Sequence, residues 1–453
     1  MNSDKTFERD ITAKLIEWKN SPFRKPLILK GARQVGKTYA LKEFGKKYYD
    51  NVAYFNLENI ASGIPGEYNE FFEATRDPTR ILSNLSLASA QSINTETTLI
   101  IFDEIQDCPA AIGALKAFCE QAPQYHIACA GSLLEVELAR NNAFPVGKVD
   151  FLDLHPMNFS EYLRATENSN LDEFCKKIKP CEKIPSLIDN KLKEQLQRYF
   201  ICGGMPESVK KWVYTSNTDE VDKTLANLLD SYQRDFAKHG GAKQFAKINL
   251  IWQSLPAQLA RENKKFVYGL LKQGARAREY ENGIIWLTNA GLIIPCICAS
   301  KPFVPLSAYE SSNAFKLYCL DLGLLRMHSR LNASAFSHIS NCFKEFKGAF
   351  VENFAFQELT NQFDSPLHYW TNEKPKHEID FIVQSGLSIL PIEVKSGENT
   401  KSLSLNYYKK KYADQTQLRV RLSMNNLSLD GDILNIPLYL AGETSRLIES
   451  CLE

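Results

Sequence analysis

The sequence predicts an α/β protein in which a parallel sheet comes first, a helical region follows, and a second α/β unit ends the chain. Three observations support this prediction. An apolar run at residues 26–30 directly precedes Gly31-Ala32-Arg33-Gln34-Val35-Gly36-Lys37-Thr38. A second apolar run, at residues 98–102, ends in Asp103-Glu104. Toward the C-terminus, Asp380 is followed by Glu393 and Lys395 across a predicted β-hairpin.

The first motif fits the pattern G-x-x-x-x-G-K-[ST], which is typical of a phosphate-binding loop between a buried strand and a helix. Its glycines let the backbone turn tightly, so that several N–H groups and the next helix N-terminus point at one phosphate chain. Lys37 is expected to contact the β- and γ-phosphates of ATP, and the Thr38 hydroxyl is expected to bind Mg²⁺. The predicted nucleotide-binding residues are Gly31, Ala32, Arg33, Gln34, Val35, Gly36, Lys37 and Thr38.

Composition narrows the classes of function. The 453 residues include 54 basic and 53 acidic side chains, a net charge of +1, so any nucleic-acid surface must be local. A chain of this length is expected to form about three domains. Residues 1–5 are polar and the apolar stretch 284–299 is interrupted, so we expect a cytoplasmic protein without a membrane span. The cysteines include no C-x-x-C pair, so neither a disulfide framework nor a zinc site is expected.

Periodicity predicts the elements around the loop. Residues 7–18 place Ile11, Leu15 and Trp18 on one helical face, which indicates a helix packed on the domain that follows. Residues 52–58 suit a second buried parallel strand, and residues 62–92 are expected to be helical.

The run at residues 98–102 brings two carboxylates to the end of a buried strand. Ligands of open α/β sheets bind at the carboxyl edge of the strands, so Asp103 is expected to hold the Mg²⁺ ion. Glu104 is expected to orient and activate the water that attacks the γ-phosphate. A further strand at residues 125–130 ends in Gly131-Ser132. Ser132 is either a sensor of the γ-phosphate or the N-cap of a helix that starts there.

Taken together, GARQVGKT, IIFDEIQ and ACAGS, followed by residues 147–151, 155–162 and 203–206, resemble the prokaryotic AAA-type P-loop ATPases that carry a C-terminal nuclease-like domain. The resemblance covers nearly the whole chain and implies an AAA-type core in residues 1–160 and a helical lid in residues 161–230. One position departs from the family, because Lys148 stands where an arginine is usual. Lysine keeps only a point charge, so hydrolysis is either weak or dependent on Arg140 or another subunit.

Residues 231–335 are expected to form a winged helix-turn-helix domain. Between residues 238 and 280 there are nine Lys or Arg side chains and two acidic ones. Helices are predicted at residues 244–259, 267–271 and 276–290, and a two-stranded wing at 292–298 and 315–320. Such a domain uses its basic side chains on the phosphates of DNA or RNA. The alternative is a solvated helical face that packs on the ATPase.

Residues 336–453 are predicted to form the third unit. A helix at residues 344–359 includes Glu352, and two strands, at residues 378–383 and 389–395, form a hairpin. Alternate residues of a strand share a face, so Glu393 and Lys395 point the same way and hairpin pairing is expected to bring Asp380 beside them. This arrangement predicts a divalent-metal site with Asp380, Glu393 and Glu352 as ligands and Lys395 beside a water molecule.

The order of Asp, then Glu-x-Lys, resembles the PD-(D/E)xK motif of the restriction-endonuclease-like superfamily. The resemblance implies an α/β nuclease fold in which Glu393 and Lys395 are catalytic. The alternative is a domain that no longer cleaves and keeps these residues for ion pairing and structure, in which Glu393 and Lys395 pair with each other.

Two hypotheses of function follow. In the first, a Mg²⁺-dependent ATPase drives or restrains a nucleic-acid-binding, nuclease-like domain. In the second, ATP operates a binding switch and nothing is cleaved. A third hypothesis is an assembly protein that forms a homo-oligomer around ATP. AAA-type ATPases often complete the site with an arginine of a neighbouring subunit, and Arg140 and Arg234 are the candidates by residue type.

Overall fold

The computed structural model describes residues 6–61, 64–131, 144–238, 241–261, 263–333, 344–363, 365–372, 377–397 and 402–452. The chain forms two compact units. The N-terminal unit comprises Glu8–Pro156 and Asn289–Leu292, and the C-terminal unit comprises Met1–Phe7, Met157–Thr288 and Ile293–Glu453. None of the helices in the described ranges has the length and apolarity that crossing a membrane requires.

The N-terminal unit is built on a five-stranded parallel sheet. Its strands are β1 (Leu27–Lys30), β2 (Asn51–Asn56), β3 (Thr98–Asp103), β4 (His126–Ala130) and β5 (Asp150–Asp153). Their order is β2-β3-β4-β1-β5, so the sheet carries the loop after β1 and the carboxylates after β3 on the same edge. This is the sheet of a P-loop nucleotide-binding fold.

The described residues of this unit form five helices: α1 (Ile11–Asn20), α2 (Lys37–Tyr48), α3 (Asn69–Ala74), α4 (Pro78–Ser89) and α5 (Pro109–Gln121). The expected apolar face of the first helix is observed, since Ile11, Leu15 and Trp18 are buried, but the helix begins at Ile11 instead of residue 7. Phe55 of β2, Phe102 of β3 and Phe118 of α5 pack in one buried cluster. Apolar side chains therefore cover the sheet, and Asp103 brings a carboxylate to its carboxyl edge.

The C-terminal unit starts with helices α6 (Phe159–Ala165), α7 (Ser169–Lys177), α8 (Ser186–Cys202), α9 (Pro206–Thr215) and α10 (Thr218–Lys238). Asn158 and Glu161 form a capping box at the start of α6, because each accepts a hydrogen bond from the other's backbone N–H, at 2.7 and 3.2 Å. Gly203 to Met205 separate α8 from α9.

The remaining helices are α11 (Gly241–Leu259), α12 (Ala277–Asn289), α13 (Leu322–His328), α14 (Lys344–Leu359), α15 (Leu403–Lys411) and α16 (Thr444–Leu452). The strands are β6 (Ile293–Ala299), β7 (Glu310–Cys319), β8 (His368–Asn372), β9 (His377–Ser385), β10 (Ser388–Val394), β11 (Arg419–Ser423), β12 (Ser428–Asp430) and β13 (Ile433–Pro437). They form an eight-stranded mixed sheet in the order β12-β13-β11-β10-β9-β8-β6-β7.

Two details differ from the winged-helix expectation for residues 231–335. The middle helix expected at residues 267–271 is a single 3₁₀ turn, Tyr268–Leu270. The expected wing is the antiparallel pair β6–β7, but β6 also pairs in parallel with β8, so the pair is the edge of the large sheet. The boundary expected at residue 335 therefore does not separate two sheets. Strand pairing between β6 and β8 joins segments that are far apart in sequence, and periodicity carries no signal for it.

Candidate nucleotide site and acidic cavity

The phosphate-loop motif forms a tight turn between β1 and α2. Gly31 has a φ of +142° and Gly36 has a φ of +93°, and both angles lie in the region that L side chains rarely adopt. A Cβ atom on Gly31 would lie 2.2 Å from the carbonyl oxygen of Leu154. Glycine is therefore required at both positions, and the turn leads directly into the N-terminus of the twelve-residue helix α2.

The side chain of Lys37 folds back onto this loop. Its Nζ atom donates hydrogen bonds to the carbonyl oxygens of Gly31, at 2.9 Å, and Ala32, at 2.8 Å. Only 8% of the residue is exposed. Burial lowers the pKa of Lys37 to about 8, although the carboxylates of Glu104 and Asp103 favour the charged form. A triphosphate would provide the negative charge that this buried ammonium group lacks.

Thr38 and Asp103 are in direct contact. Thr38 Oγ1 lies 3.0 Å from Asp103 Oδ1 and 2.9 Å from Asp103 Oδ2. The hydroxyl of Tyr54, on β2, donates a hydrogen bond to Asp103 Oδ2 at 2.8 Å, and the backbone N–H of Glu104 donates to Oδ1 at 3.2 Å. Because Asp103 is only 5% exposed, these donors hold its carboxylate in one orientation.

Glu104 follows β3 in a left-handed backbone conformation, with a φ of +49°. This conformation is uncommon outside glycine and is often found at functional sites. Gln106 Nε2 donates a hydrogen bond to Glu104 Oε2. The charge of Glu104 also acts on Lys37, so the two predicted catalytic groups lie in one site.

Two residues of this site were missed by the sequence analysis. Arg9 is 5% exposed, and its guanidinium donates hydrogen bonds to the carbonyl oxygens of Val35, at 2.9 Å, and His155, at 2.6 Å. Arg9 therefore supports the phosphate-binding loop from within the unit. Its partners are backbone atoms far along the chain, so no motif marks it. Tyr54 has a strand-forming side chain and is easily taken for a core residue.

Two of the other predicted positions, Lys148 and Arg234, lie in the described residues, and two do not. Ser132 and Arg140 lie outside the described residues. Lys148 forms an ion pair with Glu120, with 2.9 Å between the charged atoms. Arg234 is exposed on α10. The role of Ser132 and the source of an arginine therefore remain predictions.

The residues that are present fit a nucleotide and a magnesium ion. The Thr38 hydroxyl and the Asp103 carboxylate are oxygen donors in mutual contact, and Mg²⁺ prefers oxygen ligands. The phosphate-binding loop, with glycine at the two positions that need it, and the buried ammonium of Lys37 suit a phosphate chain.

The C-terminal unit contains a second polar site, which we name the acidic cavity. Its volume is about 340 Å³. Its charged lining consists of Lys264, Glu352, Glu378, Asp380, Glu393 and Lys395. Four predicted site residues of this domain, Glu352, Asp380, Glu393 and Lys395, are thus brought together around one space.

The hairpin β9–β10 positions three of these residues. Phe381 pairs with Ile392, so Asp380 lies beside the next residues of β10, and Val394 N–H donates a hydrogen bond to Asp380 Oδ2 at 2.8 Å. Lys395 Nζ lies 2.7 Å from Glu393 Oε1. The other oxygen of Glu393, Oε2, is buried without a hydrogen-bond partner. An unpaired buried carboxylate oxygen is costly unless a cation or a water molecule reaches it.

Glu352, on α14, has both carboxylate oxygens occupied. Lys264 Nζ pairs with Oε2, while Lys316 Nζ, at 3.1 Å, and the hydroxyl of Tyr318, at 2.6 Å, contact Oε1. Lys316 is 0% exposed and also pairs with Glu378 at 2.6 Å. Burial alone would raise the pKa of Glu352, but the charges of Lys264 and Lys316 lower it to about 2.

The pKa of Asp380 is shifted in the opposite direction from that of Glu352. Burial, and then the charge of Glu352, raise its pKa to about 7. No ammonium group is paired with Asp380 among the described residues, whereas the other acidic side chains of the cavity each have a lysine partner. Asp380 is therefore the carboxylate of the cavity lining without a lysine in direct contact among the described residues.

A divalent metal ion fits part of this arrangement. Within the described ranges, no group of three His, Cys, Asp or Glu side chains is arranged to hold a metal ion. Glu352, predicted as a ligand, is instead paired with lysines. Asp380 and the unpaired oxygen of Glu393 remain, and one or two carboxylates with water or phosphate ligands are sufficient for Mg²⁺. The carboxylate chemistry thus fits a hard divalent cation.

The basic residues of the region between 238 and 280 do not all serve one purpose. Arg261, Lys265, Lys272, Arg276 and Arg278 are exposed. Lys264, which was counted with them, is turned toward Glu352 in the acidic cavity. The five exposed residues remain predicted contacts for nucleic acid. Lys264 is no longer counted among them.

Comparison with family models divides the chain into three parts. Residues 23–163 match an AAA domain. Residues 193–335 and 347–440 match two domains of unknown function, DUF8612 and DUF4143. No curated protein matches the chain at a significant level.

Several solved structures are similar to the chain at low sequence identity. The Walker-type ATPase PABY2304 of Pyrococcus abyssi is 14% identical, and the match covers 73% of this chain and 99% of that one, with a TM-score of 0.45. The Aeropyrum pernix ORC1 protein in complex with DNA is 11% identical over 72% of this chain and 94% of that one, with a TM-score of 0.29. The Thermotoga maritima RuvB Holliday junction branch migration motor is 13% identical. The match covers 64% of this chain and 89% of that one, with a TM-score of 0.29.

The assignment rests on the domain match and on the site. The matched segment contains the five-stranded parallel sheet, the phosphate-binding loop, Lys37 and the Thr38–Asp103 contact. Residues 23–163 are therefore an AAA-type ATPase domain with a P-loop fold.

Proposed function

We propose that this protein is a Mg²⁺-dependent ATPase that binds and hydrolyses ATP and that this activity is coupled to a nuclease-like, nucleic-acid-binding C-terminal domain. The observation that carries the first part is the contact of Thr38 Oγ1 with both oxygens of Asp103, next to the buried ammonium of Lys37. Lys37 and Thr38 begin α2, whereas Asp103 ends β3. Together they supply the oxygen ligands and the cation that a nucleoside triphosphate requires.

Each side chain has a separate role in the proposed reaction. The loop N–H groups and Lys37 bind the phosphate chain, and Tyr54 keeps the Asp103 carboxylate turned toward Thr38. Glu104 accepts the proton of the attacking water. A magnesium ion held by Thr38 and Asp103 would neutralise charge that develops on the phosphates.

The nuclease-like assignment is supported by the acidic cavity and by the hairpin that builds it. Asp380 lies beside β10, Glu393 and Lys395 share one face of that strand, and all three line the same space. A metal held at Asp380 and Glu393 would supply Lewis-acid chemistry. Lys395 is positioned to orient a water molecule or a scissile phosphate. The exposed basic side chains between residues 261 and 278 are the proposed contact with DNA or RNA.

One observation favours the second candidate function, a nucleotide-gated binding switch that does not cleave. Glu352 is paired with two lysines, and Glu393 is paired with Lys395, so the metal ligands are partly engaged by internal cations. A domain with these contacts can bind nucleic acid without cutting it. The proposed homo-oligomer, with an arginine from a neighbouring subunit, applies to both candidates.

Binding of ATP tests the first part. We expect full-length protein to bind ATP in the presence of Mg²⁺, and Lys37→Ala to bind about 10- to 100-fold more weakly, because charge-assisted hydrogen bonds contribute roughly 1.5–3 kcal/mol. Isothermal titration calorimetry measures both affinities. Lys46→Ala is the matched control, since Lys46 lies on the same helix and forms an exposed ion pair with Glu43. Equal affinity of the Lys37 variant and the unaltered protein would contradict the assignment.

Cleavage assays separate the two candidates. Supercoiled DNA, single-stranded DNA and RNA are incubated with the full-length protein and Mg²⁺ or Mn²⁺. If the domain is a nuclease, metal-dependent cleavage is expected to fall to the metal-free level in Asp380→Ala. The control variant Asp414→Ala removes an exposed carboxylate of the same unit and is expected to cleave normally. A lack of any cleavage that Asp380→Ala abolishes would support the switch.

A further inference from the structure

Lys264 belongs to the connection between α11 and the Tyr268–Leu270 turn, but its ammonium group is paired with Glu352 on α14. The two residues are 88 positions apart in the chain. The side chain of Lys264 is 13% exposed, so most of it is enclosed by the cavity that it lines. Lys264 is one of the basic residues between positions 238 and 280, which we name the basic segment, and its side chain therefore extends into the acidic cavity.

The backbone around Lys264 is built to hold this position. Lys264 itself has a φ of +46°, in the left-handed region that a residue with a long side chain rarely adopts. The next residue, Lys265, forms an isolated backbone bridge with Lys316 on β7, and Phe266 N–H donates a hydrogen bond to the Phe315 carbonyl at 2.9 Å. These bonds fix the segment against the strand whose Lys316 contacts the same carboxylate.

The ion pair decides what Glu352 can do. With Oε2 on Lys264 and Oε1 on Lys316 and Tyr318, Glu352 has no carboxylate oxygen that is not already engaged. Glu393, which lines the same cavity, keeps one buried oxygen without a partner. In this cavity both oxygens of Glu352 thus have partners within the protein, whereas one oxygen of Glu393 has no hydrogen-bond partner.

From this geometry we infer that Lys264 is an internal competitor of a divalent cation. When its ammonium group is on Glu352, it supplies positive charge to the cavity and denies the metal a third carboxylate ligand. Withdrawal of the segment that carries Lys264 would release Glu352 Oε2 toward the ion held by Asp380 and Glu393. This inference rests on the proposed metal site and adds its regulation by the basic segment.

The experiment measures binding of Mn²⁺ to the full-length protein without nucleotide, by the electron paramagnetic resonance signal of the free ion. Lys264→Met is expected to bind Mn²⁺ on the order of tenfold or more tighter than the unaltered protein, because a nearby positive charge is removed and a carboxylate is freed. Lys264→Gln removes the charge but keeps a hydrogen-bond donor for Glu352, so it is expected to show a smaller gain, and it replaces Lys264→Met if that variant folds poorly.

Two controls isolate the cause of the gain. Lys301→Met makes the same change of charge at an exposed lysine of the same unit and is expected to leave Mn²⁺ affinity unchanged. Lys264→Met/Glu352→Gln removes the freed ligand as well, so the gain is expected to disappear. Any Mn²⁺ at Thr38 and Asp103 is common to all variants, and the differences between variants report the acidic cavity.

The outcomes separate this inference from the proposal on which it rests. If the unaltered protein binds Mn²⁺, Asp380→Ala removes that binding, and the Lys264 variants match the unaltered protein, the metal site stands and the role of Lys264 is overturned. If no Mn²⁺ binding depends on Asp380 in any variant, the metal site and the role of Lys264 both fall. Tighter binding in both Lys264 variants, lost on adding Glu352→Gln, supports the inference.

Discussion

Replacing Glu104 by glutamine is expected to reduce ATP hydrolysis by about 10²- to 10⁴-fold while ATP binding persists, since general-base catalysis contributes on that order. Glutamine has the same shape and tolerates the same backbone conformation about as well, so the φ of +49° at this position is kept. The phosphate-binding loop and the Thr38–Asp103 contact do not depend on the Glu104 side chain. The rate is measured as phosphate release, and the affinity is measured by calorimetry with the same protein.

A neighbouring acid gives the matched control for this prediction. Asp107 lies three residues beyond Glu104, and its carboxylate accepts a hydrogen bond from the backbone N–H of Asn59 at 3.1 Å. Asparagine can accept the same bond, so Asp107→Asn is expected to hydrolyse ATP at close to the normal rate. Hydrolysis by Glu104→Gln within threefold of the unaltered protein would show that another group activates the water. Joint loss of binding and hydrolysis would point to a structural role.

The N-terminal domain was predictable because its signals are local. Apolar runs that end in glycines or in two carboxylates mark the carboxyl ends of β1 and β3 without any knowledge of strand order. The prediction of an AAA-type ATPase domain is confirmed for residues 23–163. The short strand β5 was not assigned, since Asp150 and Asp153 interrupt its apolar pattern and only its pairing with β1 reveals it.

Contacts between distant residues account for what the sequence did not reveal. Arg9 acts on the backbone of the phosphate-binding loop, and a hydrogen bond to a carbonyl oxygen leaves no trace in the identity of its partner. Glu352 was identified as an acidic residue on a helix, but its carboxylate forms ion pairs with Lys264 and Lys316, which come from two other parts of the fold. A count of basic residues along the chain placed Lys264 on a surface, because composition carries no information on where a side chain turns.

Replacing Glu352 by glutamine is expected to destabilise the C-terminal unit by about 3–5 kcal/mol, the usual cost of removing one partner of a buried ion pair. The amide oxygen can still accept from Tyr318, but Lys264 loses its carboxylate and Lys316, which is 0% exposed, keeps only Glu378. Hydrogen exchange of the α14 amides measures the change without assuming that the whole chain unfolds in one step. Lys264→Met/Glu352→Gln removes an ammonium together with the carboxylate, so it is expected to be less destabilised than the single variant.

The pH dependence gives this prediction a second, independent readout. The pKa of Glu352 in the folded protein is lowered to about 2 from an ordinary value of 4.5. A carboxyl group whose pKa is lowered by folding adds stability above its unfolded pKa, and this stability is lost as the pH falls toward the folded pKa. The difference in amide protection between Glu352→Gln and the unaltered protein should therefore be largest near neutral pH and should shrink between about pH 4.5 and pH 2. A difference that stayed constant over this range would mean that packing, and not charge, makes Glu352 important.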